Sequence, residues 1–275
     1  MTAVLETPPR SPAHTASTGG GMVGLLRGEW VKLRSLRSTW IALGAGLVLM
    51  VLLAWLFTAT ADSGGPDADG PGALAFTDPI GLSLASFRLA QLFIGVVGVL
   101  LVTGEYATRT ISTTFATVPR RWPVVVAKAV VFGALVFLSS LVTSVICFVI
   151  GQASLGDLGV GFGTDGVTRA LLGTAVYLTA IGLFGMALGW LLRSTAAGIA
   201  TLFALVLLLP GLGQLLPASW GPDVVRLLPG EAGQQIATIV PEPSALGPWT
   251  GGLVLLAYLV VSFGAALVLL RRRDA

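Results

Sequence analysis

Charged and chemically reactive side chains are scarce in this sequence of 275 residues. Only 11% of the residues are charged, whereas a soluble domain usually carries about 25%. The one cysteine, Cys147, excludes an internal disulfide, and the one histidine, His14, excludes a metal site built from histidines. The sequence instead has 55% hydrophobic residues in long apolar runs, and roughly 20 such residues can cross a bilayer as a helix. The composition therefore predicts an integral membrane protein.

Motifs for catalysis and for nucleotide hydrolysis are missing as well. No G-x-x-x-x-G-K-[ST] loop occurs, and the only lysines are Lys32 and Lys128. No histidine in an apolar run could activate a serine, and no Cys/His cluster has metal-ligand spacing. No Asp or Glu falls at the middle of an apolar run, which disfavours a carrier coupled to protons or sodium. We therefore expect neither an enzyme nor a directly bound cofactor.

The apolar runs predict an all-α polytopic membrane protein. Residues 1–21 have little to bury and are expected to form a disordered tail. Residues 22–38 are predicted to be a separate amphipathic helix, and residues 39–275 a transmembrane domain. Six spans are predicted near 40–60, 82–104, 125–150, 169–191, 196–216 and 248–270.

The segment MVGLLRGEWVKLRSLRST has a basic and an apolar side when placed on a helix. This pattern is typical of a helix in the membrane interface, with its cations facing lipid headgroups. The alternative is a plain stop signal before the first span. Glu29 falls inside the apolar stripe, where either Lys32 or a protein partner would offset its charge.

Small residues predict close packing between spans. Gly185 and Gly189 are four residues apart in the fourth span, and Gly95 with Gly98 gives the second span a small surface. Such spacings are common by chance in glycine-rich membrane proteins. The fourth and fifth spans are separated only by LRSTA and are expected to form an antiparallel pair.

The distribution of cations predicts the orientation. With both termini in the cytoplasm, 13 of the 16 Lys and Arg residues lie inside, and only Arg88, Arg169 and Arg226 lie outside. This split follows the positive-inside rule. The pI near 9.5 is therefore interpreted as a sign of topology, and no nucleic-acid partner is expected.

Residues 217–247 form the longest predicted outer segment. It contains the semi-apolar pieces VVRLL and AGQQIATIV between prolines and glycines. Both pieces are too short to span, and they are predicted to be short helices that dip into the outer interface, a re-entrant-like arrangement. The alternative is an ordinary polar loop.

Residues 104–128, GEYATRTISTTFATVPRRWPVVVAK, form the first predicted cytoplasmic loop. Glu105 lies at a helix C-terminal end, where the helix dipole disfavours a carboxylate, and Arg109 one turn later could pair with it. Ile111 and Phe115 are four residues apart and would share an exposed face of a short helix. Such a helix is suited to docking in a groove of a soluble partner, and a solvated loop is the alternative.

This loop resembles the cytoplasmic loop of type-2 ABC transporter permeases. Those proteins commonly have a Gly-Glu-Tyr start, a Thr-Ile pair, a Pro-Arg region and a lysine that opens the third span. The segment EWVKLRSLRSTW is similar to the stretch before the first span of actinobacterial members, and LLPGEAGQQI resembles their outer segment. Many members have glycine at the position of Arg109. The matching residues of the loop are Gly104, Glu105, Tyr106, Thr110, Ile111, Pro119, Arg120, Arg121 and Lys128.

The resemblance implies a six-helix permease half in a bacterial plasma membrane. It would dimerise with a second copy or a related chain and export an amphiphilic, drug-like or lipid-like cargo. A separate ATPase subunit would bind ATP and Mg²⁺ and drive transport. The resemblance also implies a coupling role for Glu105, Tyr106, Arg109, Ile111, Phe115, Arg120 and Arg121, and a connecting-helix role for Glu29, Trp30, Lys32 and Arg34.

Two questions stay open at this stage. Arg88 and Arg169 are candidates for a substrate path, but arginines at the ends of spans also simply reach for headgroups. The alternative functions are a carrier or channel that works without ATP and a non-transporting membrane interaction protein of the immunity type.

Overall fold

The computed structural model describes residues 21–61, 71–111, 121–217, 219–240 and 244–272. Within these ranges the chain forms helices and turns and no β-strand, so the predicted all-α class is confirmed. Six helices are long and apolar enough to cross a membrane, as predicted. They are Arg37–Ala61, Pro79–Ala107, Trp122–Leu158, Val167–Leu192, Thr195–Leu212 and Pro248–Arg272, called here the first to sixth spans.

A separate N-terminal helix, Met22–Ser35, precedes the first span. It ends three residues before the predicted boundary because Leu36 leaves the helical conformation, with φ −83° and ψ 88°. The first span then begins at Arg37. Only Glu29 and Leu33 of the N-terminal helix are buried, so this side packs on the bundle. Its position in the membrane interface stays a prediction.

Short helices cover the opposite end of the bundle. Pro71–Thr77 and Pro79–Leu84 come before the main part of the second span, which runs from Phe87 to Ala107. Two more, Gly221–Val225 and Pro229–Gln234, form inside the predicted outer segment. Short helices are thus present there, and their re-entrant position in a membrane stays a prediction.

The second and fourth spans form the centre of the bundle and are the most buried of the six. They touch through their glycines, because a methyl group added at Gly98 would overlap the carbonyl oxygen of Gly182, and one at Gly185 would overlap that of Gly95. Only a residue without a Cβ permits this approach of two backbones. The small surfaces predicted on these two spans therefore meet each other.

The turn between the fourth and fifth spans is tight, as expected from its length. Arg193 ends the fourth span in the left-handed conformation, and the side chain of Ser194 accepts a hydrogen bond from the N–H of Ala197 to begin the fifth. The fifth span contains a π-helical turn at Ala204–Leu208. Pro210 follows it and lacks the N–H that would bond to the carbonyl of Val206.

The spans divide the charges between two ends of the bundle. One end, called here the basic end, holds the N-terminal helix, the end of the second span, the start of the third and the turn at Arg193. The other end, called here the acidic end, holds the short helices. Its described acidic residues are Asp78, Asp157, Asp165, Asp223 and Glu231.

Candidate functional site: an ion cluster at the basic end

Four charged side chains meet where three helices converge at the basic end. Glu29 and Lys32 come from the N-terminal helix, Glu105 from the end of the second span, and Lys128 from the start of the third. These four residues are called here the ion cluster. Its members come from the two helices that flank the 104–128 loop and from the helix that precedes the first span.

Lys128 is the central cation of the ion cluster. Its Nζ donates to Oε2 of Glu29 at 2.6 Å and to Oε1 of Glu105 at 2.8 Å. Lys32 donates to the other oxygen of Glu29 at 2.8 Å and lies 3.6 Å from Oε1 of Glu105. Each lysine thus bridges both carboxylates, and the cluster has no net charge.

The ion cluster is largely removed from water. The side chains of Lys128 and Glu29 are 3% and 5% exposed, and that of Glu105 is 13% exposed, whereas Lys32 is 39% exposed. The void between them measures about 10 Å³, at the lower limit for a single water. The charges are therefore compensated mainly by each other, so losing one of them would leave its partners uncompensated.

The two members on the N-terminal helix have shifted pKa values. Burial raises the pKa of Glu29, but the charges and hydrogen bonds of Lys128 and Lys32 outweigh it, and the net pKa is lowered. Burial lowers the pKa of Lys32, but its hydrogen bond to Glu29 and the charge of Glu105 outweigh it, and the net pKa is raised. Both shifts favour the ionised forms at neutral pH.

The sequence predicted only part of this cluster. Lys32 offsets the charge of Glu29, which was one of the two predicted alternatives. Glu29 also pairs with Lys128 of the third span, which was not predicted. Glu105 was expected to pair with Arg109, but its ion pairs within the described residues are with the two lysines. Lys128 was matched to the family motif without a role. One feature of the sequence could have predicted the pairing of Lys128: both lysines of the chain lie near the predicted membrane boundary, on the same side as Glu29 and Glu105.

Tyr106 packs beside the ion cluster. Its ring makes an edge contact with Trp190 of the fourth span, with centroids 6.0 Å apart. The guanidinium of Arg193 lies over the Tyr106 ring, 5.1 Å from its centroid. Arg193 has φ 51°, a conformation that is uncommon for a side chain with a Cβ. The glutamate and tyrosine of the Gly-Glu-Tyr motif thus join the second span to the N-terminal helix and to the third and fourth spans.

The other predicted coupling residues have different surroundings. Arg121 donates to the carbonyl of Leu270, which ties the start of the third span to the end of the sixth. Arg109 is exposed and has φ 56° just after the second span ends. Ile111 was predicted to be exposed, and this is wrong, because it is 4% exposed and packs in the main core. Phe115 and Arg120 lie outside the described residues.

Trp30 and Arg34 of the N-terminal helix are exposed, unlike Glu29 on the same helix. Trp30 is 44% exposed. Their exposure leaves them accessible to lipid or to a partner, and a role in contacting an ATPase stays a prediction.

The two arginines proposed for a substrate path differ in their surroundings. Arg169 donates to the carbonyl of Thr238 at 3.2 Å, so it anchors the outer segment to the fourth span. Arg88 lines a cavity at the acidic end. Of these two arginines, Arg88 is the one that lines this cavity.

The site is suited to holding helices in fixed relative positions, and it is not built for catalysis or metal binding. Within the ranges that the structure describes, no group of three His, Cys, Asp or Glu residues could hold a metal ion. The ion cluster instead fixes the positions of three helices through paired charges that are mostly shielded from water.

Comparison with models of known protein families places most of the chain in one family. The model described as ABC-2 family transporter protein matches residues 25–211, from the N-terminal helix to the fifth span. All four members of the ion cluster fall inside the matched region. A search of curated proteins gave no match to the chain.

Proposed function

Because the chain belongs to the ABC-2 transporter family and is therefore a permease-type membrane subunit, we propose that it forms one half of an ATP-driven exporter. A separate ATPase subunit binds ATP and Mg²⁺, and a second permease chain completes the dimer. The assembly lies in a bacterial plasma membrane with both termini in the cytoplasm, so that the basic end faces the ATPase. The cargo is amphiphilic, such as a lipid-like or drug-like molecule.

The observation that carries this proposal is the ion cluster. The 104–128 loop begins at the second span and ends at the third, and Lys128 joins the two helices by pairing with Glu105 at 2.8 Å. The same lysine binds the N-terminal helix through Glu29 at 2.6 Å. A force on the loop therefore acts on three helices together instead of bending one of them.

The absence of Asp, Glu, Lys and Arg from the middle of the six described spans supports an external source of energy. A carrier driven by protons or sodium needs an ionisable or broken-helix site near the middle of the membrane. In this chain the paired charges of the ion cluster lie at one end of the bundle. The ion cluster can transmit a rigid-body movement of the helices that is driven from that end of the bundle.

The partner can be tested by affinity purification from native membranes. We expect the tagged chain to retain an ATPase with a phosphate loop, and Phe115→Asp to reduce this retention at least tenfold if Phe115 anchors the loop in a groove. Ile111 is not a suitable probe because a buried aspartate would disturb the fold. Phe76→Asp is the matched control, since Phe76 is 46% exposed and belongs to the helix Pro71–Thr77 at the acidic end.

Two results would contradict the proposal. One is retention of the ATPase by Phe115→Asp at the wild-type level, which would remove the loop from the interface. The other is uphill solute movement by the purified chain alone in liposomes without nucleotide, which would remove the need for an ATPase.

A further inference from the structure

A cavity of about 590 Å³ opens at the acidic end, far from the ion cluster. It forms where the start of the second span, the end of the fifth and the outer helices meet. Its size falls in the range of small-molecule sites, roughly 300–1,000 Å³. It therefore has room for the headgroup of an amphiphile and the beginning of its hydrocarbon chain.

One wall of the cavity holds a buried acceptor that lacks a donor. Gln235 lines the cavity and is 8% exposed. Its amide nitrogen donates to the carbonyl of Glu231 at 3.3 Å, but its Oε1 is buried and has no hydrogen-bond partner in the described part of the chain. A buried acceptor without a donor is costly. A ligand that brings an N–H group would remove this cost once the Gln235 side chain turns its Oε1 toward the cavity.

The neighbouring glutamine is already satisfied. Gln91 is 7% exposed, accepts from the hydroxyl of Tyr177 and donates to the carbonyl of Arg88. This pair of hydrogen bonds fixes the wall below Arg88. Of these two glutamines, Gln235 is therefore the one whose side-chain oxygen lacks a hydrogen-bond donor.

The cavity lining also includes charged side chains of both signs. Arg88 is exposed at its edge and makes no ion pair within the described residues. Arg226 also lines the cavity but is paired with Asp223 at 2.9 Å. Glu231, which accepts from Gln234, supplies a carboxylate beside Gln235. An anionic group would be drawn to Arg88, and a protonated amine to Glu231 and Gln235.

The rest of the lining favours a primary amine over a quaternary one. A quaternary ammonium has no N–H to give to Gln235, and it is usually held by aromatic rings. None of the described lining residues is aromatic. Aliphatic side chains complete the wall and would accept hydrocarbon, namely those of Leu89, Val206, Leu207, Pro210 and Val225.

We propose that this cavity binds a headgroup in which a phosphate or carboxylate is joined by a short linker to a primary ammonium. The phosphoethanolamine head of a phospholipid and a free aminoacyl or peptide-like compound share this chemistry. This proposal adds a ligand class to the proposed exporter function. It rests on that function only for the statement that the bound molecule is also the transported one.

The test is a binding titration with the purified full-length chain in detergent, without nucleotide or ATPase. The probes are short-chain phosphatidylethanolamine, phosphatidylcholine and phosphatidylglycerol, which share acyl chains and differ in headgroup. We expect the ethanolamine lipid to bind at least tenfold more tightly than the other two. Competition by water-soluble glycerophosphoethanolamine would indicate that the headgroup suffices, and competition only by acylated forms would indicate a membrane lipid as the source.

Substitutions locate the binding. Arg88→Gln should weaken ethanolamine-lipid binding about tenfold, because it removes a charge-assisted hydrogen bond. Gln235→Leu should reduce the preference for the ethanolamine over the choline headgroup. Arg169→Gln is the matched control, since this arginine is also at the acidic end but does not line the cavity.

Two results would overturn the proposal. They are equal affinity for the three headgroups and an unchanged affinity in Arg88→Gln. Arg88 is exposed, so its variant should keep the wild-type elution profile and melting temperature. Because no ATPase takes part, a failure here leaves the exporter proposal standing, and a failure to retain an ATPase leaves this binding result unaffected.

Discussion

Replacing Lys128 by methionine should destabilise the protein more than any other single change in the ion cluster. The lysine is 3% exposed and holds two carboxylates at 2.6 and 2.8 Å. Its removal leaves Glu29 and Glu105 with Lys32 as their remaining partner in the cluster. Taking one partner from a buried ion pair costs about 3–5 kcal/mol.

The assay is thermal unfolding of the purified chain in detergent, followed by intrinsic fluorescence. A loss of 1 kcal/mol lowers Tm by about 2–4 °C in a chain of roughly this size. The expected fall for Lys128→Met is therefore on the order of 10 °C. Lys32→Met is the matched control because it removes the same charge from a side chain that is 39% exposed. It should cost clearly less than Lys128→Met, because water already solvates part of the charge of Lys32.

A second substitution tests whether charge pairing causes the loss. Adding Glu29→Gln to Lys128→Met leaves Lys32 and Glu105, which lie 3.6 Å apart, so the cluster becomes neutral again. The double variant should melt above Lys128→Met alone, with a coupling of about 0.5–3 kcal/mol. If Lys128→Met melts within about 2 °C of the wild type, or no lower than Lys32→Met, the ion cluster does not hold the three helices together.

Two further predictions concern pH and packing. The lowered pKa of Glu29 means that its stabilising contribution is complete above its ordinary value of 4.5 and is lost as the pH falls through the folded-state pKa. The difference in Tm between the wild type and Glu29→Gln should therefore stay constant from pH 7 to pH 5 and become smaller only below pH 4.5. If the difference became smaller already above pH 5, burial would outweigh the two lysines in setting the pKa of Glu29. Gly98→Ala should cost about 1–3 kcal/mol, because its methyl group would overlap the carbonyl oxygen of Gly182 and lie 2.9 Å from the nitrogen of Met186. Gly104→Ala on the same span meets open space and should melt like the wild type; equal melting of both variants would contradict the glycine contact.

The spans were predictable because each is a long apolar run, and length and hydropathy suffice to identify a crossing helix. The contact between the second and fourth spans was partly predictable, since glycines spaced three or four residues apart give each helix a small face. Which faces would meet was not predictable. Gly98 meets Gly182, a residue that the spacing argument did not select.

The ion cluster was only half predictable because its central bond joins residues 99 positions apart. Local spacing favoured a pair between Glu105 and Arg109, one helical turn apart. The second span ends at Ala107, and Arg109 turns into the left-handed region with φ 56°. Helical spacing therefore no longer applies beyond Ala107. The same break explains why Ile111 is buried although helical periodicity placed it on an exposed face.

The second span is the element that connects the two sites. Its main helix, Phe87–Ala107, has 21 residues and is about 30 Å long. Arg88 and Gln91 near its start line the cavity at the acidic end, and Glu105 near its end belongs to the ion cluster. Between them Gly98 lies against the backbone of the fourth span, where close packing resists gradual deformation. Under the proposed function, we expect a displacement applied at Glu105 to move the helix as a rigid body and to change the cavity at Arg88. This geometry supports an exporter in which the energy enters at one end and the cargo binds at the other.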